Sequence, residues 1–270
     1  MGLQMSHDPW NPPHTSTLPF SVVLSTIYGD MIVHRNDSHQ TVPLLKLARA
    51  VIHNEVRLLA RLLSYCPDDR HVVDVGASYG SFALALSKVV GARGKVHAFE
   101  PQRIIFNMLA GSIALNSFMN VYCYNMAVGN REGRVEIPQF DYKGPQMSYG
   151  SVEFGPEQRQ KLDQTRKHDA ETQEYVPLTT LDRFEFQRLD LLKIDAEGME
   201  MEILDGAEQT IRRCRPMMFV EFIKVDREAL RNRLAGFDYA VADLPGNFLA
   251  IPAELEGKLP PVSTLVHGLF

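Results

Sequence analysis

The chain has 270 residues, 45% hydrophobic and 23% charged, with a formal net charge of −5. That balance suits a soluble globular chain with one large core, and the lack of any long Lys/Arg run excludes a nucleic-acid backbone as the expected partner. Three scattered cysteines, Cys66, Cys123 and Cys214, form no CxxC pair, which argues against a zinc site or disulfide framework and suits a reducing compartment.

From Met1 to about Leu18 the chain is rich in Pro, His and Ser/Thr and lacks a charged region followed by an apolar one. This predicts a loosely ordered lead-in with no signal peptide. No apolar stretch is long enough to cross a bilayer, so no membrane partner and a cytoplasmic location are expected. Phe20 to Val33 reads as a hairpin broken at Gly29-Asp30. About Val42 to Tyr65 reads as one helix with Leu45, Ala48, Val51, Ile52, Val56, Leu59 and Leu63 on its buried face.

Beyond Pro67 the pattern alternates. "HVVDVGA", "KVHAFE", "NVYCYNMAVG", "LDLLKIDAEG" and "PMMFVEF" read as strands. Helices are expected at "YGSFALALSKVV", about Gln102–Leu115 and about Met199–Arg213. Apolar strands separated by helices predict an α/β fold with a mostly parallel sheet covered on both faces. "FDYAVADLPGNFLAIP" predicts a C-terminal β-hairpin turning at Pro245-Gly246-Asn247. Between them, 138–175 is a long polar loop insertion. The expected division is an N-terminal extension over 1–65, part of the substrate cover, and a ligand-binding domain over 66–270.

In an open parallel sheet, ligands bind beyond the carboxyl ends of the strands. "VVDVGASYG" ends a strand with Asp74, Gly76, Ser78 and Gly80 at alternate positions. This is not the GxGxxG spacing of dinucleotide sites, which disfavours NAD. It is the glycine-loop pattern of methyltransferases that use S-adenosyl-L-methionine (SAM). Gly76 and Gly80 would let the ligand lie on bare backbone, and Asp74 would bond the ligand's amino group or the loop's own amides. Glu100, followed by Pro101 at the end of the next strand, is placed to accept from both ribose hydroxyls. Main-chain groups near Asn125 to Ala127 would meet the adenine edge.

The blocks "VVDVGASYGSFALAL", "GKVHAFEPQ", "NVYCYNMAVGNREGRVEI", "VPLTTLD", "LLKIDAEGMEMEILDGAEQTI" and "RCRPMMFVEF" resemble the FkbM family of SAM-dependent methyltransferases, most specifically through "KIDAEG" and the helix after it. The resemblance implies a class I methyltransferase fold, Rossmann-like, and methylation of a hydroxyl on a sugar, glycan or natural-product intermediate. Ser78 stands where many members carry Asn.

Methyl transfer to a hydroxyl needs a group to accept its proton. Asp195 and Glu197, two apart in an extended segment, share a face. Asp195 is the expected base and also borders the cofactor. Glu197 is the alternative base, or a cap for the next helix, and Glu221 is a third carboxylate at that edge. Together the three would also permit a divalent cation, Mg²⁺ or Ca²⁺, although strand-end carboxylates are commonly structural. His34 is a further candidate base, with Asn36 and Asp37 as a wall of the acceptor site. Tyr142, Met147, Tyr149 and Phe154 are candidate lid residues over the acceptor.

Two alternatives stay open: N-methylation of a peptide side chain, and a non-catalytic SAM-binding module in a biosynthetic assembly. The acceptor would be a small molecule, a sugar or a peptide. The N-terminal hairpin and helix offer a face to a second copy, which leaves a homodimer open.

Overall fold

The computed structural model describes residues 19–137, 142 and 174–270. Its centre is a seven-stranded sheet built from the apolar runs. These are β3 (His71–Val75), β4 (Lys95–Phe99), β5 (Val121–Tyr124), β9 (Leu191–Ile194) and β10 (Met217–Glu221), joined by β11 (Tyr239–Leu244) and β12 (Asn247–Pro252). The spatial order is β11-β12-β10-β9-β3-β4-β5. β3, β4, β5, β9 and β10 pair in parallel, and β12 runs antiparallel to both its neighbours. The expected mostly parallel sheet and C-terminal hairpin are both present.

Strand alternation sends successive side chains to opposite faces, so each strand feeds two cores. Val73 and Val75 pack with Leu192, Ile194, Met218 and Val220 on one face. Val72, Val96, Ala98 and Leu191 pack on the other, under α2 (His53–Leu63), α3 (Ser81–Ser87) and α4 (Arg103–Leu115). The N-terminal strands β1 (Ser21–Thr26) and β2 (Gly29–His34) form a hairpin whose Met31 and Val33 join this second core. The Ile32 amide donates to Ser112 Oγ of α4 at 2.8 Å.

Four expectations on element boundaries are corrected. The hairpin turns at Ile27-Tyr28, because Thr26 pairs with Gly29. Gly29, at φ +131°, starts the second strand against the Asn116 side chain. The helix expected over 42–65 is two, α1 (Thr41–Leu47) and α2, broken where Ala48 turns left-handed at φ 53°. Its buried face changes with the break: Leu45 and Val51 are exposed, while Leu44, Leu58 and Leu62 are buried. "NVYCYNMAVG" divides into β5 and β6 (Ala127–Val128); β6 belongs to a small second sheet with β7 (Gly133–Ile137) and β8 (Glu174–Thr179). The helix expected over 199–213 breaks at Gly206 into α5 (Glu200–Asp205) and α6 (Glu208–Cys214), with Gly206 pressed against the Gly129 carbonyl.

Candidate active site

The loops after β3, β4 and β9 meet at the carboxyl edge of the sheet and line a cavity there. Gly76, Ser78, Glu100, Pro101, Ala127, Asp195 and Glu197, all expected in the site, line it. The apolar part of the wall comes from Phe99, Met126, Val128 and Met199.

Gly76 is the pivot. It sits at φ +74°, and a Cβ there would stand 1.8 Å from the Asp195 carbonyl oxygen. The absence of a side chain therefore lets the ends of β3 and β9 close on each other. Gly80, at φ +93°, has a different role from the one expected. Its missing Cβ makes room for Leu84 and Leu109 side chains, and it does not line the cavity. Its glycine serves helix packing, because the turn has by then swung toward α3 and α4.

Glu100 is 4% exposed. Its Oε2 accepts from the Ser78 amide at 2.9 Å and its Oε1 from the Gln102 amide at 2.8 Å. Burial pushes its carboxyl up to about 7, against the pull of those two amides. A carboxylate has about four lone-pair sites, so both oxygens can still accept from a ligand. The Ser78 hydroxyl oxygen is buried and has no hydrogen-bond partner among the described residues, and Ser78 lines the same cavity.

Asp74 is corrected from ligand contact to foundation. It is fully buried beneath the loop and does not line the cavity. It pairs in register with Lys193 across β3 and β9, which puts both side chains on one face. Lys193 Nζ lies 3.1 Å from Asp74 Oδ1 and donates to the carbonyls of Gly76 at 2.8 Å and Val75 at 3.2 Å. Burial works against the ammonium, but the Asp74 and Asp195 carboxylates outweigh it and hold Lys193 protonated above the usual lysine range.

At the far edge, Asp195 is half-buried, with Oδ2 3.8 Å from Lys193 Nζ. Glu197 adopts a left-handed φ of 56°, and its carboxylate is taken by Lys224. Burial, assisted by Asp195, raises Glu197 to about 7. Glu221 is pushed up to about 8 by burial and by the Asp195 and Glu197 charges. It does not line the cavity. Among the described residues no group of His, Cys, Asp or Glu forms a metal-ligand set, and Asp195, Glu197 and Glu221 do not converge as one. Glu197 does not take the helix-capping role expected of it, and no side chain caps α5; Glu200, its first residue, instead ties down the preceding loop by accepting from the Ala196 amide at 2.9 Å and the Gly198 amide at 3.1 Å. An acidic residue in the first turn suits the helix dipole and its free amides.

The remaining expected residues brace the site. Asn125 spends its amide on the carbonyls of Glu100 and Pro101, both at 3.0 Å. His34 is buried, its Nε2 donating to the Tyr142 carbonyl at 2.8 Å and its Nδ1 accepting from the Asn36 amide at 3.1 Å. Burial lowers its pKa, and both ring nitrogens are occupied, so it is not a poised base. Asp37 is buried and bonded within its own turn and to Tyr79. His34, Asn36, Asp37 and Tyr142 do not line the cavity. Met147, Tyr149 and Phe154 lie outside the described residues. Sequence reading missed Gln40, Gln102, Met126 and Met199 in the wall. Nothing local marks them, except that Met126 lies inside the segment expected to meet the adenine.

The FkbM methyltransferase domain profile matches residues 74–241, more than half of the chain. Methyltransferase sdnD of Sordaria araneosa is 27% identical over 168 residues, 53% of this chain and 62% of the relative, so the match leaves over a third of that protein uncovered. Methyltransferase 1 of Beauveria bassiana (strain ARSEF 2860) is 27% identical over 184 residues, 62% of this chain and 70% of the relative. The crystal structure of methyltransferase FkbM from Methylobacillus flagellatus KT superposes with a TM-score of 0.47 at 19% identity, over 68% of this chain and 43% of that one. With the profile spanning both the glycine loop and the strand that leads into Asp195, the chain belongs to the FkbM methyltransferase family.

Proposed function

We propose that the protein transfers a methyl group from SAM to a hydroxyl on a small sugar or natural-product acceptor. The observation that carries this reading is the cavity itself. It combines the bare backbone of Gly76, the buried Glu100 acceptor, an unpartnered Ser78 hydroxyl and an apolar wall. A nucleoside bearing a sulfonium amino acid fits that set: hydroxyls to Glu100, base and the carbons beside the sulfur to Phe99, Met126 and Met199.

Bound SAM supplies an electrophilic methyl on a positively charged sulfur. The chain's part is to orient and to take up a proton. Asp195 is the residue for the second task. Asp195 lines the cavity half-buried, whereas the carboxylate of Glu197, which also lines it, is engaged by Lys224. An acceptor hydroxyl bonded to an Asp195 carboxylate oxygen would lose its proton there as it attacks. In this reading the hairpin and helices of the N-terminal extension, from residue 19 to 65, are part of the substrate cover, the methyltransferase domain lies within 66–270, and the acceptor is a small molecule.

Calorimetric titration of SAM and S-adenosylhomocysteine (SAH), with NAD as control, tests the cofactor. Both sulfur nucleosides should bind and NAD should not, and Glu100→Ala should weaken SAH by about ten- to a hundredfold, the worth of one or two hydrogen bonds to a charged group. Failure of SAM and SAH to bind would refute the reading. Acceptors are then screened by mass for one added methyl, with amines and amides in the same panel.

A pH dependence follows. The ionised carboxylate is the better acceptor, and Glu100 titrates at about 7. SAH affinity should therefore rise through neutrality, by on the order of tenfold between one unit below and one unit above that value. The contribution of Glu100 to the stability of the unliganded fold runs the other way: it is present at low pH and lost as pH rises to about 7. Titrations at a series of pH values, repeated on Glu100→Ala, check this; a slope unchanged in the variant would assign it elsewhere.

A further inference from the structure

The backbone of the glycine loop has little left to offer a polar ligand group. The Gly76 and Ala77 amides both donate to the Phe99 carbonyl, at 3.0 and 2.9 Å. The Ser78 amide donates to Glu100, and the Gly80 amide to the Ala77 carbonyl at 2.9 Å. Lys193 takes the Gly76 carbonyl, and Asp74 is sealed below. That makes side chains the candidate binders of the amino-acid end of the ligand.

Two side chains on the cavity wall carry hydrogen-bond donors suited to that end. One is the buried Ser78 hydroxyl, without a partner. The other is the Gln40 amide, from the N-terminal segment. Gln40 starts α1, yet its side chain caps nothing there and has no partner among the described residues. The turn that carries it is tied to the loop. Asp37 Oδ1 accepts the amides of His39 at 3.1 Å and Gln40 at 3.0 Å, and Asp37 Oδ2 accepts from the Tyr79 hydroxyl at 3.1 Å. Tyr79 stands between Ser78 and Gly80 and is buried. One carboxylate thus sets the backbone position of Gln40 with one oxygen and grips the glycine loop with the other.

We propose that Gln40 and Ser78 donate hydrogen bonds to the carboxylate of the amino-acid end of the cofactor, with Asp37 and Tyr79 as positioning residues that lock the N-terminal turn over that end. The proposal rests on the cavity being the SAM site. Donor type decides the assignment. Glu100 accepts and suits ribose hydroxyls, whereas Gln40 Nε2 and Ser78 Oγ–H donate and suit an anion, and the carboxylate is the one anionic group of the ligand.

The test compares SAH with 5′-methylthioadenosine, the same nucleoside thioether without the amino acid, by calorimetry on wild type, Gln40→Ala, Gln40→Glu, Ser78→Ala and Tyr79→Phe. Gln40→Ala and Ser78→Ala should each weaken SAH by about tenfold, with methylthioadenosine unchanged. Gln40→Glu, which sets a negative charge against the carboxylate, should weaken SAH further. In the Tyr79→Phe background Gln40→Ala should cost less than it does alone, because the two share one anchor. Thermal melting of unliganded Gln40→Ala should match wild type. Unchanged SAH affinity in Gln40→Ala overturns the proposal, as does an equal loss for both ligands. Wild type that binds neither ligand refutes the cofactor reading, and this proposal with it.

Discussion

Replacing Gly76 with alanine is expected to abolish SAH binding and to destabilise the fold by about 3 kcal/mol or more. Two costs add. The backbone conformation at φ +74° is unfavourable for any residue with a Cβ, by roughly 1–2 kcal/mol. The new methyl would also meet the Asp195 carbonyl oxygen, 1.8 Å from the ideal Cβ position, and a main-chain atom in a central ladder cannot swing aside. Overpacking of a tight site costs roughly 1–3 kcal/mol, and relief requires parting β3 from β9 at the edge where the cavity lies. Gly80→Ala is the control. Its φ of +93° carries similar strain, but the Cβ would meet only the ends of Leu84 and Leu109. Gly80→Ala should lose stability and keep most of its SAH affinity. Paired thermal melts and titrations decide; equal loss of binding in both variants would mean that the Gly76–Asp195 approach is not what shapes the cavity.

Lys193→Met is expected to cost about 3–5 kcal/mol, because it leaves the Asp74 carboxylate buried without its cation. For a chain of this size that corresponds to a fall in melting temperature of about 10 °C. The double variant Lys193→Met with Asp74→Leu removes both charges and should recover most of the stability, since buried ion pairs exchanged for apolar residues are often neutral. It should not recover SAH binding. The carbonyls of Val75 and Gly76 lose the donor that holds the loop in either case. Stability restored while affinity stays low would identify Lys193 as the anchor of the glycine loop. Both restored together would reduce the pair to a fold element.

Much of this site is written in short stretches. The order of apolar strands and helices yields a parallel sheet because runs of Val, Ile, Leu and Phe must be buried on both faces. Small residues at a strand end followed by an acidic residue at the next strand end are local patterns, so Gly76, Ser78, Glu100 and Asp195 are legible in the amino-acid order alone. The breaks inside the helices are not, because Ala48 and Gly206 stop helices through contacts made with distant segments. Ala48 presents its carbonyl to the Ile27 amide, and Gly206 is pressed against Gly129.

Roles diverged from residue types for the same reason. Asp74 has the right chemistry to meet a ligand, yet its register opposite Lys193 in a non-consecutive strand makes it half of a buried pair. Glu197 and Glu200 are both acids near a helix start, and only the left-handed turn at Glu197 decides that Glu200 receives the loop amides while Glu197 goes to Lys224. Gln40 carries no signal of its own; a hydrogen bond between residues 37 and 79 brings its turn to the glycine loop. Side-chain chemistry and local spacing thus announced the sheet, the glycine loop and the acidic strand end at Glu100. Which of those groups lines the cavity was decided by strand register and by contacts between segments far apart in the chain, because such pairings arise from packing the whole core rather than from any one stretch.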